Sequence, residues 1–384
     1  MVDNILKMDE VNVVVAAHIT EIYGPVQALR KYLENGKYNF QYITHPLRKC
    51  LITDSLMENF DNGTLVRQKT IKRTKRRLIS FIGDLLLNVF LVFRDRHRGK
   101  ILFIGIDNIN TLSGIVLKRI GVVHKIIYYV IDYTPRRFKN RILNRVYHCL
   151  DRFCLRHSDY IWNISYRMAE LREKQGVKKN KNMVVPVGVE FDGVKRVSNS
   201  NISRHRLVFV SYLSKDKGCQ LAIEAMTDIS KYRNDVILEI IGTGPYEEEL
   251  KQLVIRSRLD KNVKFLGYMK QDFLVDNLSR GGIAIASYLE DPDSITNYAD
   301  PTKVKEYLAC GLPVIITRVP WIAKEIERLQ MGIAIEYSKE QLVAAALKIL
   351  ENDGFYNRCR RNALEFASKL SWKKIYDHAF KRIS

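Results

Sequence analysis

A lysine and a glutamate three residues apart form the part of this sequence with the clearest chemical potential. Lys303 and Glu306 would share one face of a short helix, because positions three apart are neighbours on a helix. We expect Asp300 to cap that helix, Pro301 to occupy its first position and Gly311 to end it. The ammonium and the free amides at the helix start would bind a diphosphate, while the carboxylate would accept hydrogen bonds from sugar hydroxyls.

A second lysine is predicted at the edge of a sheet. The predicted strand 207–213 leads through a tight turn at Lys217 and Gly218 into a helix, which brings amides and an ammonium to the carboxyl edge. Lys217 could therefore meet the same phosphates as Lys303. The next turn, at Gly242, is a weak signal alone, and the three glutamates after it favour a plain helix start.

Short apolar runs rich in β-branched residues recur between helical patterns, as in parallel sheets covered by helices on both faces. The predicted strands of the first half are 11–17, 38–43, 101–106, 126–131, 160–164 and 183–186. Those of the second half are 207–213, 236–241, 263–266, 283–286, 313–316 and 332–335. Each half therefore predicts a doubly wound α/β domain, whose ligands would bind beyond the carboxyl ends of the strands.

One segment of the first half, residues 67–100, is unusually basic. Seven cationic residues fall within 67–77, namely Arg67, Lys69, Lys72, Arg73, Lys75, Arg76 and Arg77. The apolar run that follows, 78–93, is shorter than the about 20 residues of a membrane span. Two alternatives stay open: an amphipathic helix lying on an anionic membrane, or a core helix preceded by a solvated basic loop.

Composition narrows the class of partner. The 384 residues, 46% of them hydrophobic, are enough for two cores, and the net charge of +21 implies an anionic partner. Nucleic acid is disfavoured because no aromatic residue interrupts the basic run. The first residues lack the basic and apolar pattern of a secretory signal, which predicts a cytoplasmic location. The six scattered cysteines predict reduced thiols rather than a zinc site.

The ordered set of motifs resembles the GT-B glycosyltransferases, especially the large family 4, whose members move a sugar from a nucleotide diphosphate. The resemblance covers nearly the whole chain. Its motifs are Gly24-Pro25, Asp132, Ser165, Val185 to Glu190, Lys217-Gly218, Ile240 to Pro245, Val263 to Tyr268, Pro301 to Tyr307, and Ser371-Trp372. It implies an α/β fold of two Rossmann-like domains facing across a cleft, with the acceptor on the first and the nucleotide sugar on the second.

A stretch rich in Gly, Ser and Asn, with little apolar periodicity, predicts a linker at 191–206 between domains 1–190 and 207–361. The resemblance implies a C-terminal helix at 362–384 that returns to the first domain, and it implies residue roles. Lys217 would bind the diphosphate, the backbone of Gly267 and Tyr268 would face the base, and Glu306 would bond the ribose. The remaining candidates are Lys303, Thr302, Gly242, Tyr298 and Glu290 for the donor, and Gly24 and His18 for the acceptor side or the diphosphate loop.

Asp132, at the end of a predicted strand, is the candidate catalytic residue, for activating or orienting the acceptor. Its alternative role is to pair with Arg136 or Arg137. His18 is expected on an exposed loop after the first strand. The scheme needs no cofactor and no metal, and we predict no metal at Asp291 and Asp293, although they mimic the Asp-x-Asp motif of a different, single-domain glycosyltransferase fold.

The sequence departs from the family pattern at three positions. Tyr212 stands where an arginine is frequent, Tyr298 where many members have a glutamate, and Ile131 where a histidine is common. The chain is similar to the subset with Pro-x-Lys-x-x-Glu-Tyr, in which Lys303 would supply the lost positive charge. The missing glutamate weakens the expectation that the anomeric configuration is retained.

We therefore predict a metal-independent, hexosyl-type glycosyltransferase of the cytoplasmic membrane face, with a UDP- or GDP-sugar as donor. Its acceptor would be a lipid-linked or cell-surface glycan, as in polysaccharide biosynthesis, and its partners would include an anionic membrane surface but no nucleic acid. The alternative is a nucleotide-sugar epimerase or hydrolase on the same fold.

Overall fold

The computed structural model describes residues 11–20, 23–47, 52–73, 77–95, 99–197 and 202–383. The chain divides into two units, the first formed by Met1–Val187 with Trp372–Ser384 and the second by Gly188–Ser371. Each unit contains a sheet with helices, so the α/β prediction is confirmed.

The first unit has an eight-stranded sheet in the order β4-β3-β2-β1-β5-β6-β7-β8. Its strands are β1 (Val11–Ile19), β2 (Phe40–Pro46), β3 (Ser55–Asp61), β4 (Thr64–Ile71), β5 (Lys100–Ile106), β6 (Lys125–Val130), β7 (Tyr160–Asn163) and β8 (Asn182–Val184). Its first five helices are α1 (Pro25–Asn35), α2 (Arg77–Arg94), α3 (Asn108–Arg119), α4 (Arg141–His157) and α5 (Tyr166–Lys174). Chain order reverses between β1 and β5, so a ligand crevice is expected beyond their carboxyl ends.

The sequence missed the hairpin formed by β3 and β4. Both strands are antiparallel additions to the edge of the sheet. Arg67 and Lys69, predicted in a solvated loop, lie instead on the exposed strand β4, where cationic side chains discourage pairing with another chain. Asn62 and Gly63 both have positive φ in the connecting turn, the geometry for which Asn-Gly is the strongest sequence signal. Lys75 and Arg76 lie outside the described residues.

The second unit has a six-stranded sheet in the order β11-β10-β9-β12-β13-β14. Its strands are β9 (Arg206–Val210), β10 (Ile237–Ile241), β11 (Val263–Gly267), β12 (Ile283–Ala286), β13 (Val314–Thr317) and β14 (Gly332–Ile335), and all described pairings are parallel. Its helices are α6 (Cys219–Tyr232), α7 (Glu247–Arg256), α8 (Gln271–Ser279), α9 (Thr302–Ala309), α10 (Ile322–Arg328), α11 (Lys339–Glu351) and α12 (Asp353–Ser368). Here the chain reverses between β9 and β12.

The C-terminal region contains two helices where the sequence predicted one. After α12 the chain leaves the second unit, and α13 (Trp372–Lys381) belongs to the first. Phe380 stacks on Tyr32 with ring centroids 5.5 Å apart and meets Trp162 edge-on at 5.3 Å. The Tyr376 hydroxyl donates a hydrogen bond to the Pro25 carbonyl at 2.7 Å. These contacts fix α13 against α1 and β7.

The described part of the predicted linker packs on the second unit. Arg196 donates to the Ala309 carbonyl at 2.8 Å, and its guanidinium lies 4.0 Å from the ring centroid of Phe191. Among the helices of the described ranges, none has the length and apolar character needed to cross a bilayer.

Candidate functional site

The loop after β9 carries Lys217 and is shaped by a glycine. Gly218 has a φ of +75°, and a Cβ at this position would lie 1.6 Å from the Ser287 carbonyl oxygen, so a larger residue does not fit. The Ser287 hydroxyl donates to the Gly218 carbonyl at 2.8 Å. The Lys217 ammonium contacts Asp216 at 2.7 Å and the Thr296 hydroxyl at 3.3 Å. The loops after β9 and β12 are thus joined at the point where the strand order reverses.

Asp216 gives the Lys217 ammonium a fixed counter-charge. Burial opposes ionisation of this carboxyl, but hydrogen bonds from Lys217 and Ser214 outweigh that effect and keep its pKa below the usual range. A phosphate approaching Lys217 would therefore share the ammonium with Asp216. About a quarter of the Lys217 side chain is exposed, which leaves it reachable.

A second glycine brings together the ends of three strands. Gly242 has a φ of +125°, and an added Cβ would lie 1.9 Å from the Ser211 carbonyl oxygen. Its amide donates to the Gly267 carbonyl at 2.8 Å. Tyr268, the next residue, is 74% exposed and available to a flat ligand. Gly242 therefore lets the loops after β9 and β10 pack closely, and its contact with a nucleotide sugar stays a prediction.

The helix with the predicted anion site is α9, and its start differs from the prediction. Pro301 is the N-cap residue and the helix has no side-chain cap, so the expectation that Asp300 caps it was wrong. Asp300 instead forms an ion pair with Lys305, whose side chain is only 3% exposed. A buried ammonium needs a counter-charge, which explains the difference. Burial lowers the pKa of Lys305, and Asp300 opposes that shift. Gly311 follows the helix end with a φ of +77°, as predicted.

Lys303 and Glu306 do share one face of α9. The Lys303 ammonium lies 3.0 Å from one oxygen of Glu306, and the other oxygen accepts a hydrogen bond from the Gln271 side chain at 2.8 Å. Gln271, the first residue of α8, was not predicted from the sequence because its partner lies 35 residues away. The carboxylate is thus held from two sides.

A tyrosine anchors α9 to the strand that precedes the Lys217 loop. The backbone amide of Val210, the last residue of β9, donates to the Tyr307 hydroxyl at 2.7 Å. Both lysine-bearing elements are therefore attached to the carboxyl edge of the same sheet. The other predicted donor residues lie on the segments leading to α9: Glu290 and Thr302 are exposed, and Tyr298 is half-buried. Tyr212, which replaces the frequent arginine, is 65% exposed.

The predicted residues of the first unit lie at its own carboxyl edge. Asp132 forms an ion pair with Arg137, the pairing considered as its alternative role. The Gly24 amide donates to the Gln27 side chain at 3.1 Å, within its own helix start. His18 is not on an exposed loop: β1 extends to Ile19, and the imidazole is buried between Asp84 and Asp107. Neither aspartate was predicted.

Comparison with known proteins gives a family match for slightly less than half of the chain. Residues 191–366 match the family model described as Glycosyl transferases group 1. The amylovoran biosynthesis glycosyltransferase AmsK of Erwinia amylovora is 28% identical over 149 residues, which are 38% of this chain and 36% of AmsK. The alpha-monoglucosyldiacylglycerol synthase of Streptococcus pneumoniae is 26% identical over 185 residues, 45% of this chain and 40% of the relative. The chain thus spans well under half the length of these two relatives.

The fold is shared with a solved structure over nearly its whole length. Anabaena Alr3699/HepE, crystallised in complex with UDP, aligns with a TM-score of 0.73 over 96% of this chain and 98% of that protein. The sequence identity is 16%, so the likeness concerns the fold. The predicted α/β architecture is confirmed: residues 191–366 match the glycosyl transferases group 1 family, and the chain has the GT-B fold.

Proposed function

We propose that this protein transfers a sugar from a nucleoside diphosphate sugar to a hydroxyl of a lipid-linked or cell-surface glycan, at an anionic membrane face and with retention of configuration. One observation carries the proposal: the carboxyl edge of the second sheet presents Lys217, Lys303 and the uncapped amides of α9 beside the held carboxylate of Glu306. Cations and free amides suit a diphosphate, and a fixed carboxylate suits ribose hydroxyls.

These residues would act on the leaving group. As the glycosidic bond breaks, negative charge grows on the diphosphate, and the two ammonium groups and the amide of Thr302 stabilise it. Loss of one such donor typically raises the barrier by about 2.7 to 4 kcal/mol. Lys303 would turn from Glu306 towards the phosphate, while Gln271 keeps the carboxylate in place for the ribose. Asp132 would orient the acceptor hydroxyl.

The comparisons support a uridine donor and a lipid-borne acceptor. HepE was crystallised with UDP and also with UDP-glucose, which favours a UDP-sugar over a GDP-sugar. One relative is named for a glucosylated diacylglycerol, and another for biosynthesis of the polysaccharide amylovoran. Both names are consistent with an acceptor that is assembled on or within a membrane lipid.

Helix α2 supports the membrane part of the proposal, because most of its length exposes apolar side chains and buries polar ones. Its exposed face is apolar, with Ile82, Leu86, Phe90 and Phe93 between 47% and 61% exposed. Its buried face is polar at Ser80, Asp84 and Asn88, which follow at four-residue intervals, and becomes apolar only at Leu91 and Val92 near the helix end. A helix packed on a globular core has the opposite arrangement. The exposed apolar row therefore lies outside the core, contrary to the core-helix alternative for these four residues.

Basic residues accompany this apolar row. Arg67 of β4 lies 3.6 Å from Asp95 at the end of α2, and Arg94 closes the helix itself. An apolar row bordered by cations fits the boundary between acyl chains and anionic headgroups, where each nearby Lys or Arg contributes about 1 kcal/mol. We infer that α2 docks on an anionic lipid surface.

The function is tested with radiolabelled UDP- and GDP-sugars and detergent-solubilised cell membranes as acceptor. We expect label to enter the lipid fraction, and Lys303→Ala to reduce kcat/KM by about 100-fold or more. Lys231→Ala is the matched control, because Lys231 also pairs with a carboxylate three residues away, at 2.7 Å from Asp228, but lies on α6. Its kinetics should match those of the wild type.

Three results would contradict the proposal. Failure of every UDP- and GDP-sugar to bind would remove the donor site. Free sugar or a new nucleotide sugar, formed without membrane extract, would favour the hydrolase or epimerase alternative. Equal kinetics for Lys303→Ala and the wild type would remove Lys303 from the donor site.

A further inference from the structure

A buried polar cluster in the first unit centres on His18, at the end of β1. Its Nδ1 donates to Asp107, 2.5 Å away, and its Nε2 donates to Asp84, 3.1 Å away. Asp84 comes from the polar face of α2, and Arg73 donates to the same carboxylate, with Nε 2.9 Å from Oδ1. His18, Asp107 and Asp84 will be called the His18 cluster, with Arg73 as its outer member. The four residues come from four segments of the chain.

The His18 cluster is built around a charged imidazole. Burial disfavours the imidazolium, but the charges of Asp107 and Asp84 and their hydrogen bonds outweigh this effect and raise the pKa of His18 to about 9. With a proton on each nitrogen, His18 has no lone pair for a metal or for taking a proton from a substrate. The neighbouring His45 differs: burial lowers its pKa to about 4, so it stays neutral.

Asp107 is the member of the cluster that solvent can reach, with its side chain 33% exposed while those of His18 and Asp84 are 5% and 2% exposed. One of its oxygens accepts from the backbone amides of Ile109 and Asn110, at 2.9 and 3.0 Å. The other accepts from His18 and from the Asn110 side chain, at 2.8 Å for the latter. The surrounding protein partly desolvates Asp107 and so opposes its ionisation, but the charge of His18 and these hydrogen bonds outweigh that effect and hold the pKa of Asp107 below its usual range. It is an ionised carboxylate in a fixed orientation.

The position of Asp107 in the fold is that of a ligand-binding residue. His18 lies near the end of β1 and Asp107 follows β5, so the pair stands where the strand order of the first sheet reverses. Asp132 follows the next strand, β6, and the charge of Asp107 contributes to the raised pKa of Arg137, the partner of Asp132. Two outward-facing carboxylates thus share this edge.

We propose that Asp107 binds a hydroxyl of the acceptor's sugar or polyol group, and that His18, fixed by Asp84 and Arg73, is the positioning residue that holds the Asp107 carboxylate. The inference rests on the proposed function and adds the part of the acceptor that the first unit recognises. Carboxylates accept hydrogen bonds from hydroxyls and repel phosphates, so this edge contacts the acceptor through its hydroxyls and not through a phosphate. The incoming hydroxyl would replace the Asn110 side-chain amide on Asp107, and that amide would keep its other acceptor, the Ile106 carbonyl, at 3.2 Å.

The central test is Asp107→Asn in the full chain. Asparagine is an equally good N-cap for α3, so the helix start is kept while the charge is lost. With labelled UDP-sugar at saturation and solubilised membrane extract as the varied acceptor, we expect the apparent KM for extract to rise at least tenfold. The Kd for UDP, measured by calorimetry, should change less than twofold. Asp159→Asn is the matched control. Asp159 also accepts hydrogen bonds from a charged side chain, that of Lys118, and from a backbone amide, that of Ile126, but it lies at the amino ends of the strands of the same sheet.

The role of His18 is tested by two variants that each keep one of its hydrogen bonds. The side-chain amide of asparagine occupies the place of Nδ1, and that of glutamine reaches the place of Nε2. His18→Asn, which retains a donor to Asp107, should raise the acceptor KM less than His18→Gln, which retains the donor to Asp84. If His18 had only a structural role, the variant with the greater loss of folding stability would have the higher acceptor KM, whichever hydrogen-bond donor it retained.

The outcomes separate this inference from the function on which it rests. If UDP binds and label is transferred, but Asp107→Asn leaves the KM for extract unchanged, the inference is wrong and the function stands. If no nucleotide sugar binds or reacts, the proposed function fails first. If Asp159→Asn raises the acceptor KM as much as Asp107→Asn, the effect is not specific to the His18 cluster and the inference is again wrong.

Discussion

The charge of His18 connects an atomic contact to the stability of the fold. The folded-state pKa of about 9 lies above the value of 6.5 for an unperturbed histidine, so folding favours the protonated form. The contribution is fully present below pH 6.5 and is lost as pH rises through 9. At 1.36 kcal/mol per pKa unit it amounts to about 3 kcal/mol.

We therefore predict that the free energy of unfolding of the wild type, relative to His18→Gln, decreases between pH 6.5 and pH 10. The titratable groups beside His18 do not change charge in that window, because Asp84 and Asp107 have depressed pKa values and His45 is already neutral. Urea unfolding of both proteins at pH 6, 8 and 10 measures the difference. A constant difference across this range would show that the imidazole is neutral at pH 6 or charged throughout.

At the residue scale, the sequence predicted contacts whose partners are close in the chain. Lys303 and Glu306 are three positions apart, so helical geometry alone pairs them. The cap at Asp300 was predicted wrongly because the competing partner, Lys305, is buried, and burial is not visible in the local pattern. The His18 cluster could not be predicted, since Asp84 and Asp107 lie 66 and 89 residues from His18.

Helix α2 shows how one element can serve two environments. Its polar face supplies Asp84 to the His18 cluster and Asn88 to His45, while its apolar face remains exposed. The sequence indicated an apolar segment between basic ones, but hydrophobicity alone does not tell which face is buried. The orientation of the helix follows from the buried histidines, which require polar partners.

We predict that Ile82→Gln with Phe90→Gln lowers the partition of the protein onto vesicles of 30% phosphatidylglycerol by about 100-fold. Burial of one such side chain contributes about 1.5 to 3 kcal/mol, so losing two is a large effect. Sedimentation with vesicles measures the partition, and raising the salt concentration should weaken it by screening the cations. Both side chains are exposed, so stability should change little.

Ile142→Gln with Val146→Gln is the matched control, because these side chains also form an exposed apolar pair, on α4. Partition of this variant should equal that of the wild type. If the α4 variant loses as much binding as the α2 variant, or if neither loses any, the docking face is not α2.

At the scale of the whole molecule, the positions of the parallel strands along the chain were largely predictable, and the path of the chain at its end was not. Buried parallel strands are continuous apolar runs bounded by turns, which is a local signal. The edge strand β4 carries polar residues on both faces and gives no such signal, although Asn62-Gly63 marked its turn. The break between α12 and α13 lies inside the region 362–384, for which the family resemblance implied a single helix.

Because α13 packs in the first unit, we predict that a core substitution speeds hydrogen exchange only in the unit that contains the substituted side chain. Phe380 is buried among Tyr32, Tyr38 and Trp162, and all four residues belong to the first unit. Phe380→Ala should destabilise that unit by about 3 to 5 kcal/mol. Hydrogen exchange should accelerate in β1 and β7 and stay unchanged in β9 and β12, although residue 380 follows the whole second unit in sequence. Phe209→Ala, in the core of the second unit, should give the reverse pattern. An effect that is confined by packing follows the unit in which the side chain is buried, and not its position in the sequence. Equal acceleration in both sheets by either variant would therefore mean that the chain unfolds as one cooperative body.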